Sequence, residues 1–229
     1  QRSPVRNSIV SLGRLSMPGT SAVLRVDDNH QYWLDGKPLS WPSPTAIMQD
    51  LRVIDYPQGE AGGATDYFKR RGSAVHLACY LDDVGELEDE EGLDPEIAIR
   101  LKRWRRFKKE ARVDFIGLEE PLYSRQWQMV GCLDRRGVLR LDTEEKVLID
   151  IKSGAVPSWT GIQTAFYELL LDDGYYHRYG VGLGTDPYTV KLFSDSQDRN
   201  VALAMLSTYR WKVNHKIIRG EKNGNGNSG

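Results

Sequence analysis

The chain has 229 residues, 40% of them hydrophobic, with 31 Lys plus Arg against 32 Asp plus Glu. That is enough apolar chain for one substantial core, and a net charge too small to advertise a nucleic-acid partner through the field of the whole protein. Cys79 and Cys132 are too few for a disulfide framework or a four-thiolate cluster. No apolar run approaches the roughly twenty residues of a membrane span, and no signal-peptide pattern opens the chain, so a soluble intracellular protein is expected.

Residues 1–21 are polar with scattered Pro and Gly, and read as a flexible arm. Ala22 to Val26, a turn at Asp27 to His30, and Tyr32 to Leu34 predict a β-hairpin, with His30 as a turn residue. Ser43-Pro44-Thr45 then opens a short helix through Leu51, with Ser43 as N-cap and Pro44 at its first position. Gln58 to Ala64 is glycine-rich but lacks the Lys-Ser ending of a phosphate-binding loop, so it reads as a connection. A helix follows from Thr65 to about Leu81, carrying Gly72 one turn before His76. Glycine inside a helix costs about 1 kcal/mol against alanine, which points to close packing there.

The charge distribution is uneven. Asp82 to Glu96 holds nine acids and no base, and predicts a solvated loop; Arg100 to Arg112 holds eight bases and one acid. Leu101, Trp104, Phe107 and Ala111 recur at helical spacing in a helix starting at Pro95, a stripe expected to be core. The surrounding cations read equally as a solvated face or as phosphate contacts. Val113 to Glu120, Leu122 to Gln128, Met129 to Leu141 and Lys146 to Lys152 predict strands of one sheet. A helix near Ser158 to Leu171 carries Gln163 and Tyr167 four apart. Tyr179 to Leu183 and Tyr188 to Phe193 predict a hairpin. Asp195 or Ser196 can cap a last helix to about Ile218, with Val201, Leu203, Met205 and Leu206 expected inside. Residues 220–229 are a low-complexity tail, which leaves 22–219 as one domain.

The stretch Gly131 to Gly154 carries the strongest chemical signal. Val147-Leu148-Ile149-Asp150-Ile151-Lys152 is an apolar, β-branched run broken by charge at its far end. A central strand has no ordinary use for an unpaired charge, which costs several kcal/mol to bury, on the order of 3–5 when one partner is missing. Period two puts Asp150 and Lys152 on one face and Ile151 on the other, with Asp134 on the preceding strand. Two carboxylates beside a lysine can hold a divalent cation and a water in front of a phosphodiester.

Asp134 followed by Asp150-Ile151-Lys152 resembles the signature of the PD-(D/E)xK nuclease superfamily. Gly72 to His76 resembles the Gly-x-x-x-His helix motif of its RecB-like and lambda-exonuclease-like branch, and Gln163 to Tyr167 the Gln-x-x-x-Tyr motif. Glu119-Glu120-Pro121-Leu122 and Gly131 to Asp134 are similar to the strands between. The resemblance spans roughly Ala22 to Trp211 in the family's order.

The resemblance implies an α/β (α+β) fold: a central mixed sheet flanked by helices, with an N-terminal hairpin and helical extension. It implies one or two Mg²⁺ or Mn²⁺ ions held by His76, Asp134, Asp150 and the Ile151 carbonyl, with catalysis by Lys152, Asp150, Asp134 and Glu119. Glu120 is the alternative to Glu119, since period two lets only one face the ion. DNA contacts are implied for Gln163, Tyr167, Arg71 and Ser153. Ser43 and Thr45 are assigned either to phosphate or to simple capping. The iron-sulfur members need four cysteines, so no iron-sulfur cluster is expected. The implied activity is exonucleolytic cleavage from DNA ends, single- or double-stranded, in recombination, repair or phage DNA processing. Its setting would be the cytoplasm of a bacterial or phage-infected cell, and its assembly a monomer or a ring-forming homo-oligomer. The rivals are an endonuclease of the same fold and an inactive DNA-binding protein.

Overall fold

The computed structural model describes residues 24–27, 31–54, 62–140 and 144–217. The proposed arm and tail lie outside these, as do His30 and most of the glycine-rich connection. Among the described residues the chain is mixed α/β, with a small antiparallel sheet, a five-stranded mixed sheet and five helices.

β1 (Leu24–Val26), β2 (Tyr32–Leu34) and β3 (Lys37–Pro38) form the small sheet, and β1 packs on the larger one. In α1 (Pro44–Asp50), Ser43 Oγ accepts from the Ala46 amide at 3.2 Å, the cap that the sequence predicts. The long helix α2 (Gly62–Val84) begins three residues before Thr65 and runs three past Leu81. Asp94 caps α3 (Pro95–Ala111), whose Ile97, Leu101, Trp104 and Phe107 are buried.

β4 (Val113–Ser124) and β5 (Met129–Arg140) form a long antiparallel hairpin. This corrects the expected separate strand from Leu122 to Gln128: β4 continues through Pro121 to Ser124, and the next residues turn. Pro121 is tolerated because β4 is the edge of the sheet, where an amide can be missing without breaking a ladder. β6 (Glu144–Lys152) pairs antiparallel with β5 and parallel with β7 (His177–Gly182), which pairs with β8 (Thr189–Phe193). The parallel step requires a crossover, which α4 (Thr160–Leu171) supplies. Gly182 lets the turn after β6 lie on β7, since a Cβ there would fall 2.9 Å from the Gly154 carbonyl oxygen. In α5 (Gln197–Asn214), Asp195 rather than Ser196 provides the side-chain acceptor, at 2.8 Å from the Gln197 amide. Val201 is exposed, a correction to its expected burial, while Ala202, Met205, Leu206 and Tyr209 face inward.

Two apolar layers cover the sheet. Val147, Ile149 and Ile151 pack with Val75, Cys79, Trp104 and Phe107 of α2 and α3. Leu148 packs with Phe166 and Leu170 of α4 and with Met205 of α5. Each fully buried apolar side chain contributes about 1.5–3 kcal/mol, so both layers are needed to hold a central strand flat between them. β6 thus alternates as period two requires, with Asp150 and Lys152 on the α4 side.

Candidate metal centre

The acidic run does not form a solvated loop throughout. Asp82 and Asp83 belong to α2, whose last turn meets α3, and Asp83 is almost wholly buried. Arg105 reaches Asp82 at 2.7 Å and Glu90 at 2.7 Å, and Lys108 reaches Asp82 at 2.8 Å and Asp83 at 2.5 Å. Much of the basic stripe of α3 is therefore matched within the protein. The physical reason is proximity: the acidic last turn of α2 packs beside the basic α3, and the two satisfy each other before any outside partner can.

A second charged group lies further back along α2. His76 Nδ1 is 3.5 Å from Asp134 Oδ1 and 3.6 Å from Glu119 Oε1. One donor atom from each of the three residues falls within 4.8 Å of the others, a group that can hold a metal ion. The strands place these side chains by different means. Asp134 Oδ2 accepts from the Ile151 amide at 2.7 Å, tying β5 to β6 where the register pairs begin at Arg135 and Ile149. Glu119 has φ 43°, a left-handed conformation that costs a non-glycine residue on the order of 1 kcal/mol or more. Arg135 holds it there: its Nη1 donates to Glu119 Oε1 at 2.7 Å, and its Nε donates to Asp83 Oδ2 at 2.7 Å. Glu120 is not part of the group. It is buried against Arg136, which makes two bonds to it at 2.8 Å.

Asp150 and Lys152 stand beside the group rather than in it. Lys152 Nζ lies 2.7 Å from Asp150 Oδ2, although the approach is not along a hydrogen-bond direction and Oδ2 is left without a hydrogen-bond donor. The ammonium instead donates to Gln163 Oε1 at 2.9 Å, and Gln163 Nε2 donates to Tyr167 Oη at 3.2 Å. It also lies over the Trp159 ring, 4.7 Å from the centroid. Gln163 and Tyr167 are both buried; these hydrogen bonds link them to each other and to Lys152, while the Tyr167 ring packs in the apolar core. Ile151 contributes its amide, through the bond to Asp134. Arg71 pairs with Glu96 at 3.3 Å, and the Ser153 carbonyl accepts from Arg100 Nε at 2.7 Å. Thr45 sits in the first turn of α1, partly buried.

Burial and the charges facing one another set the protonation of the group. Burial raises the Asp134 carboxyl to about 7, helped by Asp150 and Glu119 and opposed by His76. Burial alone would lower His76, but Asp134 and Glu119 outweigh it and hold the imidazole at about 9. Burial also pushes Glu119 up, and His76 and Arg135 overcome it, leaving the carboxyl below its ordinary range. At neutral pH the imidazolium therefore stands in as the local counter-charge.

No protein-family model and no curated protein matches this chain. Among the described residues, no helix is long and apolar enough to cross a membrane.

Arg135, Asp83 and Trp159 were not candidates from the sequence. The signal for Arg135 was present: a cation inside an apolar strand raises the same question as Asp150, and its burial is complete. Nothing local marks Asp83 within nine acids, or Trp159 among six tryptophans.

Proposed function

We propose that this chain is a metal-dependent DNA exonuclease with a PD-(D/E)xK core. The observation that carries the proposal is the convergence of His76, Glu119 and Asp134 from three elements, next to a lysine paired with a second buried aspartate. The donor set fits a divalent cation. It offers one imidazole nitrogen and carboxylate oxygens, burial with help from Asp150 and Glu119 raises Asp134, and among the described residues Asp150 Oδ2 is buried without a hydrogen-bond donor. His76, Glu119 and Asp134 would hold Mg²⁺ or Mn²⁺, with Asp150 adjoining, and the imidazole favours Mn²⁺ at least as much as Mg²⁺. When bound, such an ion polarises a phosphoryl oxygen and lowers the pKa of water.

The protein's own part is positioning and charge. Lys152 orients the attacking water and meets the charge that builds on phosphorus as the water oxygen bonds to it and one ester P–O bond breaks. The proton of the water passes to the Asp150 carboxylate, since the Lys152 ammonium has no lone pair to take it, and the released ester oxygen leaves as a hydroxyl on taking a proton from solvent. Gln163 fixes the ammonium in place and Tyr167 fixes Gln163, so the nucleophile's approach is set by a chain of hydrogen bonds rooted in α4. Trp159 covers Lys152 from one side.

The test is digestion of end-labelled linear single- and double-stranded DNA and of closed circular DNA, with Mg²⁺, Mn²⁺ or EDTA. Shortening of linear DNA from an end, only with metal, is expected. Lys152→Ala should slow it by about 10²- to 10⁴-fold. Cutting of closed circles would replace the exonuclease with an endonuclease, and DNA binding without cleavage under any metal would remove the catalytic proposal.

A further inference from the structure

The outer half of α2 carries side chains that neither the core nor the metal group uses. Phe68 is 55% exposed and Tyr67 45%, their rings edge to face with centroids 5.6 Å apart. The Arg71 guanidinium lies 4.9 Å from the centre of the first ring and 5.7 Å from the second. From Tyr67 to Leu81 the helix holds Lys69, Arg70, Arg71 and His76 and no carboxylate. Helical spacing puts Phe68, Gly72 and His76 in one row, about 12 Å long at 1.5 Å per residue. Gly72 leaves the middle of that row bare, for a Cβ there would meet only Ser153 Oγ, at 3.9 Å.

Cations of α3 border the same row. Arg100 Nε donates to the Ser153 carbonyl at 2.7 Å, and Arg103 Nη1 to the Leu183 carbonyl at 2.8 Å. Arg71 and Arg103 both lie close enough to Arg100 to repel it, and among the described residues Glu96 is the carboxylate that pairs with Arg71 and Arg100, at 3.3 and 3.4 Å. Arg71 Nε is buried with no acceptor. Among the described residues one carboxylate, Glu96, pairs with these arginines, whereas Asp82, Asp83 and Glu90 meet the cations at the other end of the same two helices. Guanidinium forks short of acceptors suit phosphate oxygens, and exposed rings beside them suit the face of a base.

We infer that the row from Phe68 to His76 is a track for an unpaired DNA strand, with a base stacked on Phe68 and Tyr67 and a backbone phosphate met by Arg71 and Arg100. This rests on the nuclease proposal and names its substrate as single-stranded. A duplex keeps its base faces stacked inside, so exposed rings offer it little, whereas every unpaired base has a free face. A protein partner of ordinary interface chemistry would not require three arginines with one carboxylate.

The test uses the full chain in EDTA, so that cleavage does not intervene, and fluorescence anisotropy with a labelled oligothymidine and with a duplex of equal length. The single strand should bind more tightly. Phe68→Ala should weaken it about tenfold and leave the duplex unchanged, while Phe68→Trp should keep the affinity. Arg71→Ala should lower the salt slope for the single strand by about 0.7, and Lys191→Ala, on β8, should do nothing. Mn²⁺ titration of Phe68→Ala should match the native protein. A native chain that binds no Mn²⁺ yet shows this strand preference would sink the metal proposal and spare this one. Equal affinity for both DNAs with Phe68→Ala silent would overturn it. So would a Phe68→Ala change confined to sedimentation, which would make the patch a contact between copies.

Discussion

Two charged clusters meet along one helix, α2, and have opposite fates. At the end of α2, Asp82 and Asp83 are met by Arg105, Lys108 and Arg135, each at hydrogen-bond distance. Less than two turns earlier, His76 sits against Glu119 and Asp134, with Arg135 reaching Glu119 from the other cluster. The first cluster is closed and serves to join α2, α3 and β5. The second leaves one donor atom from each of three residues within 4.8 Å of the others, a set that can hold a metal ion. Arg135 belongs to both, since one guanidinium reaches Asp83 and Glu119, so the closed cluster holds a side chain of the second in its strained conformation.

That contrast can be broken from either side. The largest effect expected is Asp83→Ala, which leaves the fully buried Arg135 without its anchor. It should cost about 3–5 kcal/mol in urea unfolding, with or without Mn²⁺. A loss under 1 kcal/mol would mean that the buried network contributes little. Asp134→Asn, by contrast, should unfold much like the native chain and lose Mn²⁺ binding in calorimetry.

The second cluster should also announce itself through pH. His76 must shed its proton to act as a ligand, and Asp134 must be ionised. With the imidazole at about 9, Mn²⁺ affinity should rise with pH from 7 to 9, approaching about tenfold per unit, and level off above. A flat profile over that range would place His76 outside the ligand set.

Smaller effects sharpen the comparison. Ser43→Ala should cost about 1 kcal/mol of stability and leave DNA affinity unchanged, as a cap would and a phosphate contact would not. For Asp82, burial raises the carboxyl but bonds from Arg105 and Lys108 outweigh it, so its folded value is below the ordinary one. A depressed acid contributes stability above its unfolded value, near 4, and loses it as pH falls through the folded value. Asp82→Asn should therefore be less stable at neutral pH and show a shallower decline on acidification below about pH 4.

Much of the architecture was legible in the linear chain because it depends on local chemistry. Pro44 after Ser43 and Pro95 after Asp94 mark helix starts wherever they occur, and the period of Leu101, Trp104 and Phe107 is a property of the helix alone. The alternation in β6 likewise assigned Ile151 to one face and Asp150 with Lys152 to the other. The break between β4 and a separate next strand was misplaced because Pro121 forbids a central strand, not an edge strand, and edge position is a property of the sheet.

The site divides the same way. Residue types and spacing make Asp150 and Lys152 stand out as costly in an apolar strand, with Asp134 on the strand before, whereas His76 stands out through the resemblance of Gly72 to His76 to the Gly-x-x-x-His motif. How these groups come together is decided by the fold. It set Glu119 rather than Glu120 beside His76, because a left-handed residue in β4 turns one carboxylate toward α2 and leaves the other on Arg136. It bound Gln163 to Lys152, and it matched Arg100, Arg105 and Lys108 of a basic helix to an acidic run that was expected to be solvated. Charges interact through space at distances of a few ångströms, and sequence separation carries no record of those distances.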